Sequence, residues 1–327
     1  MAPTDKISRN RRAAVVYNPI KVDLPKFQNM VSQAATAAGW PEPLWYSTAV
    51  DEPGQKATRQ AIDAGATLVL AAGGDGTVRA VAEALRGTSV ALGLIPAGTG
   101  NLLARNLEMT VTRLEESVQT AFSGIDHQID VGVAQITRAE GASEEHAFLV
   151  MAGLGLDAKM IANTSSKLKK AVGWLAYIEG GMRALPDVKP VKLRYRLDGG
   201  AEKSMTAHTL IIGNCGLLPG GILLIPDARP DNGRLECCAL KPRGFFGWLN
   251  VWNKIAWENG VLRKSRTGRR IIDLRNDVKS VTYFETKDMT VTVGTPEEFQ
   301  LDGDECGEVT QMRIWVDSGS LTVKMPA

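Results

Sequence analysis

The chain has 327 residues, 44% hydrophobic and 23% charged, with a formal net charge of +2, which is the size and make-up of an ordinary two-domain globular protein. So small a net charge argues against a nucleic-acid binder, and no segment offers the roughly 20 uninterrupted apolar residues that a membrane span requires. The four cysteines form no CxxC pair and three lie in apolar, strand-like surroundings, as reduced core residues of a cytosolic protein do.

Arg9, Arg11 and Arg12 precede the first apolar run, but that run stops at Asn18, too early for a signal-peptide core. Ala13 to Tyr17 is predicted as a strand, closed by Asn18-Pro19, which holds a polar side chain rigidly at the strand tip. A helix near Leu24 to Ala38, a strand from Leu44 to Thr48 and a helix near Gln55 to Ala64 follow. Ala66 to Ala72 is an apolar strand that runs straight into Gly73-Gly74-Asp75-Gly76-Thr77, and Thr77 to Leu85 has helical spacing. The unit then repeats: strand Ala91 to Ile95, loop Pro96-Ala97-Gly98-Thr99-Gly100-Asn101, helix Leu102 to Leu107. A further helix from Val111 to Phe122 completes a βαβα pattern and hence a parallel sheet.

From Ile129 the pattern changes to strands, placed at Asp130 to Thr137, His146 to Ala152, Val191 to Leu197, Met205 to Asn214, Arg234 to Lys241, Ser280 to Glu285, Met289 to Val293 and Met312 to Val316. Such a run suits a β-sandwich. Arg138 to Glu145 reads as an exposed loop. Two amphipathic stretches interrupt the strands. Lys167 to Leu185 carries apolar residues at helical spacing behind three lysines, and Phe245 to Trp257 packs five aromatics before the basic cluster Arg263 to Arg270. Each reads either as a core helix with a solvated charged face or as an interfacial anchor on anionic lipid.

The chemistry sits in the glycine loops. At a strand-to-helix turn glycine lets backbone N–H groups approach an anion, and the positive end of the helix dipole faces the same point. Asp75 would repel a phosphate unless a divalent cation lay between them, so the loop points to Mg²⁺ with ATP or a similar nucleotide. GGDG alone reads equally well as an ordinary turn. The second loop favours function, because consecutive parallel strands carry their loops at one sheet edge, where open α/β sheets bind ligands. Neither GxxxxGK[ST] nor a first-strand GxGxxG is present.

The order Asn18-Pro19, Gly73-Gly74-Asp75-Gly76-Thr77, Gly98-Thr99-Gly100-Asn101 and Ile129-Asp130-Val131-Gly132 resembles the diacylglycerol kinase catalytic family, in particular its bacterial soluble lipid kinases. Leu301-Asp302-Gly303-Asp304 matches the family's LDGE segment, and Gly220-Gly221 through Pro226 to Gly233 matches its metal-site loop. The resemblance implies an α/β plus all-β chain. A three-layer α/β nucleotide-binding domain like that of NAD kinases occupies residues 1–128, completed by 318–327, and a β-sandwich lipid-substrate domain occupies 129–317. It further implies ATP- and Mg²⁺-dependent phosphoryl transfer to a lipid hydroxyl, by default that of diacylglycerol, from the cytoplasm at a membrane surface. Nothing names a protein partner, although a sandwich edge could pair as a homodimer.

Site residues follow from motif and resemblance together. The backbone of Gly73, Gly74, Asp75, Gly76 and Thr77, with Gly98, Thr99 and Asn101, would hold phosphates, and Asn18, Pro19 and Thr48 would line the nucleotide site. Asp75 would act through Mg²⁺, supported by Asp130. Asp304, at the place of the family's final Glu, is the expected base, with Asp302 as the fallback, both acids being taken to share one face of an extended segment. Three departures bear on this. Leu102 stands where many members have an acid, Asp304 is one methylene short, and Asn232 replaces the acid of an accessory metal site that would also use the backbone near Arg229 and Arg234. A neutral amide between two arginines predicts a weak or empty accessory site. The competing readings are an NAD kinase-like enzyme on a soluble substrate, a non-catalytic nucleotide- or lipid-binding relative, and an oxidoreductase. The last rests on Gly153-Leu154-Gly155-Leu156-Asp157-Ala158, which satisfies GxGxxA without opening a clear βαβ unit.

Overall fold

The computed structural model describes residues 11–155, 190–218, 222–242 and 280–327. Both amphipathic stretches and Gly220-Gly221 lie outside the described residues. The chain divides into two compact units, Met1–Val131 with Ser318–Ala327, and Gly132–Asp317.

The first unit is a parallel sheet between helices. Its strands are β1 (Ala13–Tyr17), β2 (Leu44–Ser47), β3 (Leu68–Gly73) and β4 (Ala91–Pro96), and its helices are α1 (Leu24–Ala37), α2 (Gln55–Asp63), α3 (Asp75–Leu85), α4 (Leu102–Asn106) and α5 (Leu114–Ser123). β1 lies between β2 and β3, and β4 follows β3, all parallel. All six residues of β3 are buried, as a strand covered on both faces requires. On one face Val15, Leu68, Leu70 and Ile95 pack against Phe27 and Val31 of α1 and Val118 and Phe122 of α5. α2 and α3 pack together and against β1, β2, β3 and β4. Pro25 in the first turn of α1 is well placed, since its missing N–H is one that a helix start leaves without a partner. The last stretch of a 22-residue strand, Asp304–Met325, adds a parallel neighbour to β4 through Val323 opposite Leu92.

The second unit is antiparallel throughout. Its strands are β5 (Ile125–Thr137, which begins in the first unit), β6 (Ser143–Phe148), β7 (Met151–Gly155), β8 (Val191–Leu197), β9 (Lys203–Ala207), β10 (Thr209–Gly213), the short pair β11 (Leu217–Leu218) and β12 (Ile222–Leu223), β13 (Leu235–Leu240), β14 (Val281–Thr286), β15 (Asp288–Leu301) and β16 (Asp304–Met325). One layer runs β14-β13-β10-β7 and ends on the last residues of β15, while β9-β8 pair with its first residues. A register shift between Thr292 and Glu297 lets one strand serve both layers. Between the layers lies a core of Phe148, Leu154, Ile212, Phe299, Leu301 and Met312, among others. This is a β-sandwich. Cys215, Cys237 and Cys238 are buried, and burial pushes the Cys215 and Cys237 thiols well above their ordinary range, which makes them inert core residues.

Four expectations need correction. The predicted strand His146 to Ala152 is divided between β6 and β7, and Met205 to Asn214 between β9 and β10. Ser143, Glu144 and Glu145 belong to β6, paired with β5, so the exposed loop is shorter than Arg138 to Glu145; all three are exposed polar residues and gave no apolar signal to mark the strand. Residues 302–304 are not extended. Asp302 has φ 51° and Gly303 φ 89°, between the paired residues Leu301 and Asp304, which is the two-residue turn that Asp-Gly favours in hairpins. Asp302 and Asp304 therefore do not share the face of a strand.

Candidate active site

Parallel pairing fixes where the glycine loops meet. Gly73 at the end of β3 is in register with Pro96 at the end of β4, and the Ala97 N–H donates to the Gly73 carbonyl at 3.1 Å. On the other side, Tyr17 of β1 is in register with Ala72, and the Asn18 N–H donates to the Ala72 carbonyl at 2.9 Å. The chain leaves β1 toward β2 but leaves β3 toward β4. The strand order thus reverses between β1 and β3, and the crevice outside their carboxyl ends is the topological switch point of the sheet. Asn18, Pro19, Thr48, the Gly73 to Thr77 turn and the Gly98 to Asn101 turn all lie at this edge. Thr48 is buried and tied to β1 through its N–H to the Tyr17 carbonyl at 2.9 Å, whereas Pro19 and Thr99 are exposed.

Asp75 is the latch between the two turns. Its carboxylate accepts the Asn101 N–H on Oδ2 at 3.0 Å and the Leu102 N–H on Oδ1 at 2.6 Å, so an acid on the first loop satisfies the start of the helix that follows the second. Asn101 completes the fastening. It sits at φ 48°, a left-handed conformation that asparagine tolerates, and its amide clasps Gly98 from both sides: Oδ1 accepts the Gly98 N–H at 3.1 Å and Nδ2 donates to the Gly98 carbonyl at 2.9 Å. The glycines allow this closeness. A Cβ on Gly98 would fall 2.6 Å from Gly74 Cα, and one on Gly73 would fall 2.6 Å from the Thr77 hydroxyl. The N-cap of α3 is Gly74, which has no side chain to cap the helix, so the N-terminus of α3 opens onto the turn.

Other predicted site residues have different partners. Asp302, 9% exposed, accepts three backbone N–H groups: Leu149 on Oδ2 at 2.9 Å, and Val150 and Met151 on Oδ1 at 2.8 and 3.0 Å. That carboxylate holds the β6–β7 connection against the hairpin turn. Asp304 is exposed at the start of β16. Asp130, 3% exposed, accepts the Gly319 N–H at 2.8 Å and so pins β16 within the first unit. Asn232 accepts the Arg234 N–H at 3.0 Å, closing its amide oxygen into a local turn, while Arg229 pairs with Asp231 and Arg234 with Glu285. Among the described residues no group of three His, Cys, Asp or Glu side chains is placed to hold a metal. Leu102 is buried, 8% exposed. Gly153 and Gly155 belong to β7, which is paired antiparallel on both sides, so these two glycines are not in a turn; Leu156, Asp157 and Ala158 lie outside the described residues. Motif reading missed the cross-loop bonds of Asp75 and the clamp of Asp302. Only the Asp-Gly dipeptide signalled the latter, as a turn.

Fold and loops define a nucleotide-binding α/β unit joined to a β-sandwich. Residues 12–134 match the family model for the diacylglycerol kinase catalytic domain, and residues 149–256 that for the YegS C-terminal NAD kinase beta sandwich-like domain. The chain is 32% identical over 282 residues to a Pseudomonas aeruginosa (strain UCBPP-PA14) protein named "Probable lipid kinase YegS-like", covering 85% of this chain and 82% of that one. It is 26% identical over 302 residues to a diacylglycerol kinase of Bacillus subtilis (strain 168), covering 91% of each. The crystal structure of a diacylglycerol kinase from Bacillus anthracis str. Sterne shares the fold with a TM-score of 0.69 at 19% identity, over 96% of each chain. Yeast NADH kinase shares it with a TM-score of 0.51 at 8% identity, over 96% of this chain and 83% of that one. The chain belongs to the diacylglycerol kinase catalytic family of lipid kinases, and nucleotide use comes with that membership.

Proposed function

We propose that the protein transfers the γ-phosphate of ATP to a lipid hydroxyl, with diacylglycerol as acceptor and phosphatidic acid as product, at the cytoplasmic face of a membrane. The observation that carries this reading is the fastening of the two glycine turns at the sheet's switch point by Asp75 and Asn101. The residues fit a magnesium-nucleotide. The two glycine turns approach too closely for a Cβ between them, α3 starts beside them behind a glycine N-cap, and one carboxylate stands at the same edge, a set of groups that suits phosphate oxygens and a hard cation. Magnesium, when bound, neutralises phosphate oxygens and aligns them for in-line transfer. The chain's own part is to hold the phosphates on the backbone of residues 73–77 and the Thr99 hydroxyl, to place the Asp75 charge beside them, and to line the base site with Asn18 and Thr48. For the acceptor proton we assign Asp304, since Asp302 is committed to three backbone N–H groups. The accessory site around Asn232 is proposed to bind metal weakly, its amide oxygen being used in a turn.

The test is incubation with labelled ATP, Mg²⁺ and diacylglycerol in micelles, beside a total lipid extract and NAD. Labelled phosphatidic acid supports the assignment. Another labelled lipid keeps the reaction and replaces the acceptor. Label in NADP overturns it for the soluble substrate, and ATP binding without any labelled product overturns it for a nucleotide-binding relative.

A further inference from the structure

Among the described residues three large hydrophobic side chains are exposed, Ile20 at 83%, Val50 at 97% and Ile125 at 55%, and the two most exposed stand in equivalent places. Tyr17 and Ser47 are the last paired residues of β1 and β2, and Ile20 and Val50 come three positions after each. Both ride on closed turns. The Ile20 N–H donates to Asn18 Oδ1 and the Lys21 N–H to the Asn18 carbonyl, each at 3.0 Å. Around Val50, the Ala49 N–H donates to the Glu52 carbonyl at 2.9 Å and the Glu52 N–H returns to the Ala49 carbonyl at 3.3 Å. Such tips ordinarily carry polar residues. Here two neighbouring parallel strands each present an aliphatic side chain on a hydrogen-bonded turn, at the same sheet edge as the glycine loops.

We propose that Ile20 and Val50 are paired insertion tips that dip into the surface of a lipid bilayer and bring the edge of the first unit to its substrate. The proposal rests on the lipid-kinase reading for the choice of a bilayer as partner. Local charge specifies the mode of contact. Residues 18–26 and 47–56 hold Lys21, Lys26 and Lys56 against Asp23, Asp51 and Glu52, with Lys26 paired to Asp23 at 3.1 Å. The tips thus carry no net charge to attract anionic headgroups, and their binding is apolar insertion that needs no acidic lipid.

The test is co-sedimentation of the full chain with phosphatidylcholine vesicles, without nucleotide, at low salt and at about 0.5 M salt, where screening acts within a few Å. Ile20→Ser with Val50→Ser is expected to lower the partition coefficient about tenfold at both salt concentrations, and each single change by less. Val50→Trp is expected to raise it several-fold, and Ile125→Ser to leave it unchanged. Equal partitioning of the double variant and the natural chain would overturn the proposal. So would a loss seen only at low salt, or one matched by Ile125→Ser, or a double variant that changes only the oligomeric state in sedimentation equilibrium. Turnover is read separately in detergent micelles. A chain that phosphorylates lipid there while the double variant partitions normally refutes the tips alone, and a chain without turnover whose tips drive partitioning refutes the reaction alone.

Discussion

Asp75 in the first unit and Asp302 in the second do outwardly the same thing, each gathering backbone N–H groups onto a carboxylate. Their surroundings differ. Asp302 is buried, takes three donors from three consecutive residues and sits in a turn that its own left-handed backbone helps to make. Asp75 is half-buried, takes donors from a loop 26 residues away and opens a helix beside a glycine cradle. An acid sealed among backbone donors is architecture, because its charge is fully answered where it stands. One at a partly open edge, at the N-terminus of a helix, is positioned to act on something that arrives.

The comparison breaks first if Asp302 proves dispensable. Asp302→Ala strands three backbone donors in a buried connection and is expected to cost about 3–5 kcal/mol, lowering the melting temperature by about 10 °C in a thermal scan. Asp75→Asn, which keeps an acceptor but removes the charge, is expected to lower turnover on micellar lipid by about 100-fold or more while the melting temperature moves by only a few degrees. If both variants lose stability alike and turnover survives in the Asp75 variant, the two acids are equivalent and the active-site assignment falls. Gly98→Ala sharpens the picture at the cradle, since its Cβ would strike Gly74; nucleotide affinity measured by calorimetry is expected to fall about tenfold. Smallest are the left-handed positions. Asn101→Gly keeps the conformation and loses only the clasp on Gly98, whereas Asn101→Ala loses both, so their unfolding free energies are expected to differ by about 1 kcal/mol in favour of glycine.

Local patterns carried much of this in the sequence. The apolar runs of β3 and β4 are covered on both faces, so they read as uninterrupted strands, and the glycine turns after them were legible as a ligand edge because parallel strands must share it. What could not be read is long-range. Nothing in residue 75 announces that its carboxylate will cap the helix starting at residue 102, and nothing in Asp302-Gly303 announces donors about 150 positions earlier. Alternation also understated strand length. β16 runs 22 residues, well beyond the predicted Met312 to Val316, and its half-exposed remainder mixes glycine and acids.

That strand has a consequence for folding. β4, which leads into the second glycine loop, finds its outer neighbour at Val323, and Asp130 grips Gly319. The sheet that carries the glycine loops therefore takes its outer strand from residues far along the chain, after every strand of the second unit, and contacts of such long sequence separation slow folding. A chain cut before residue 318 is left with an unfinished first unit however well the strands of the second are formed.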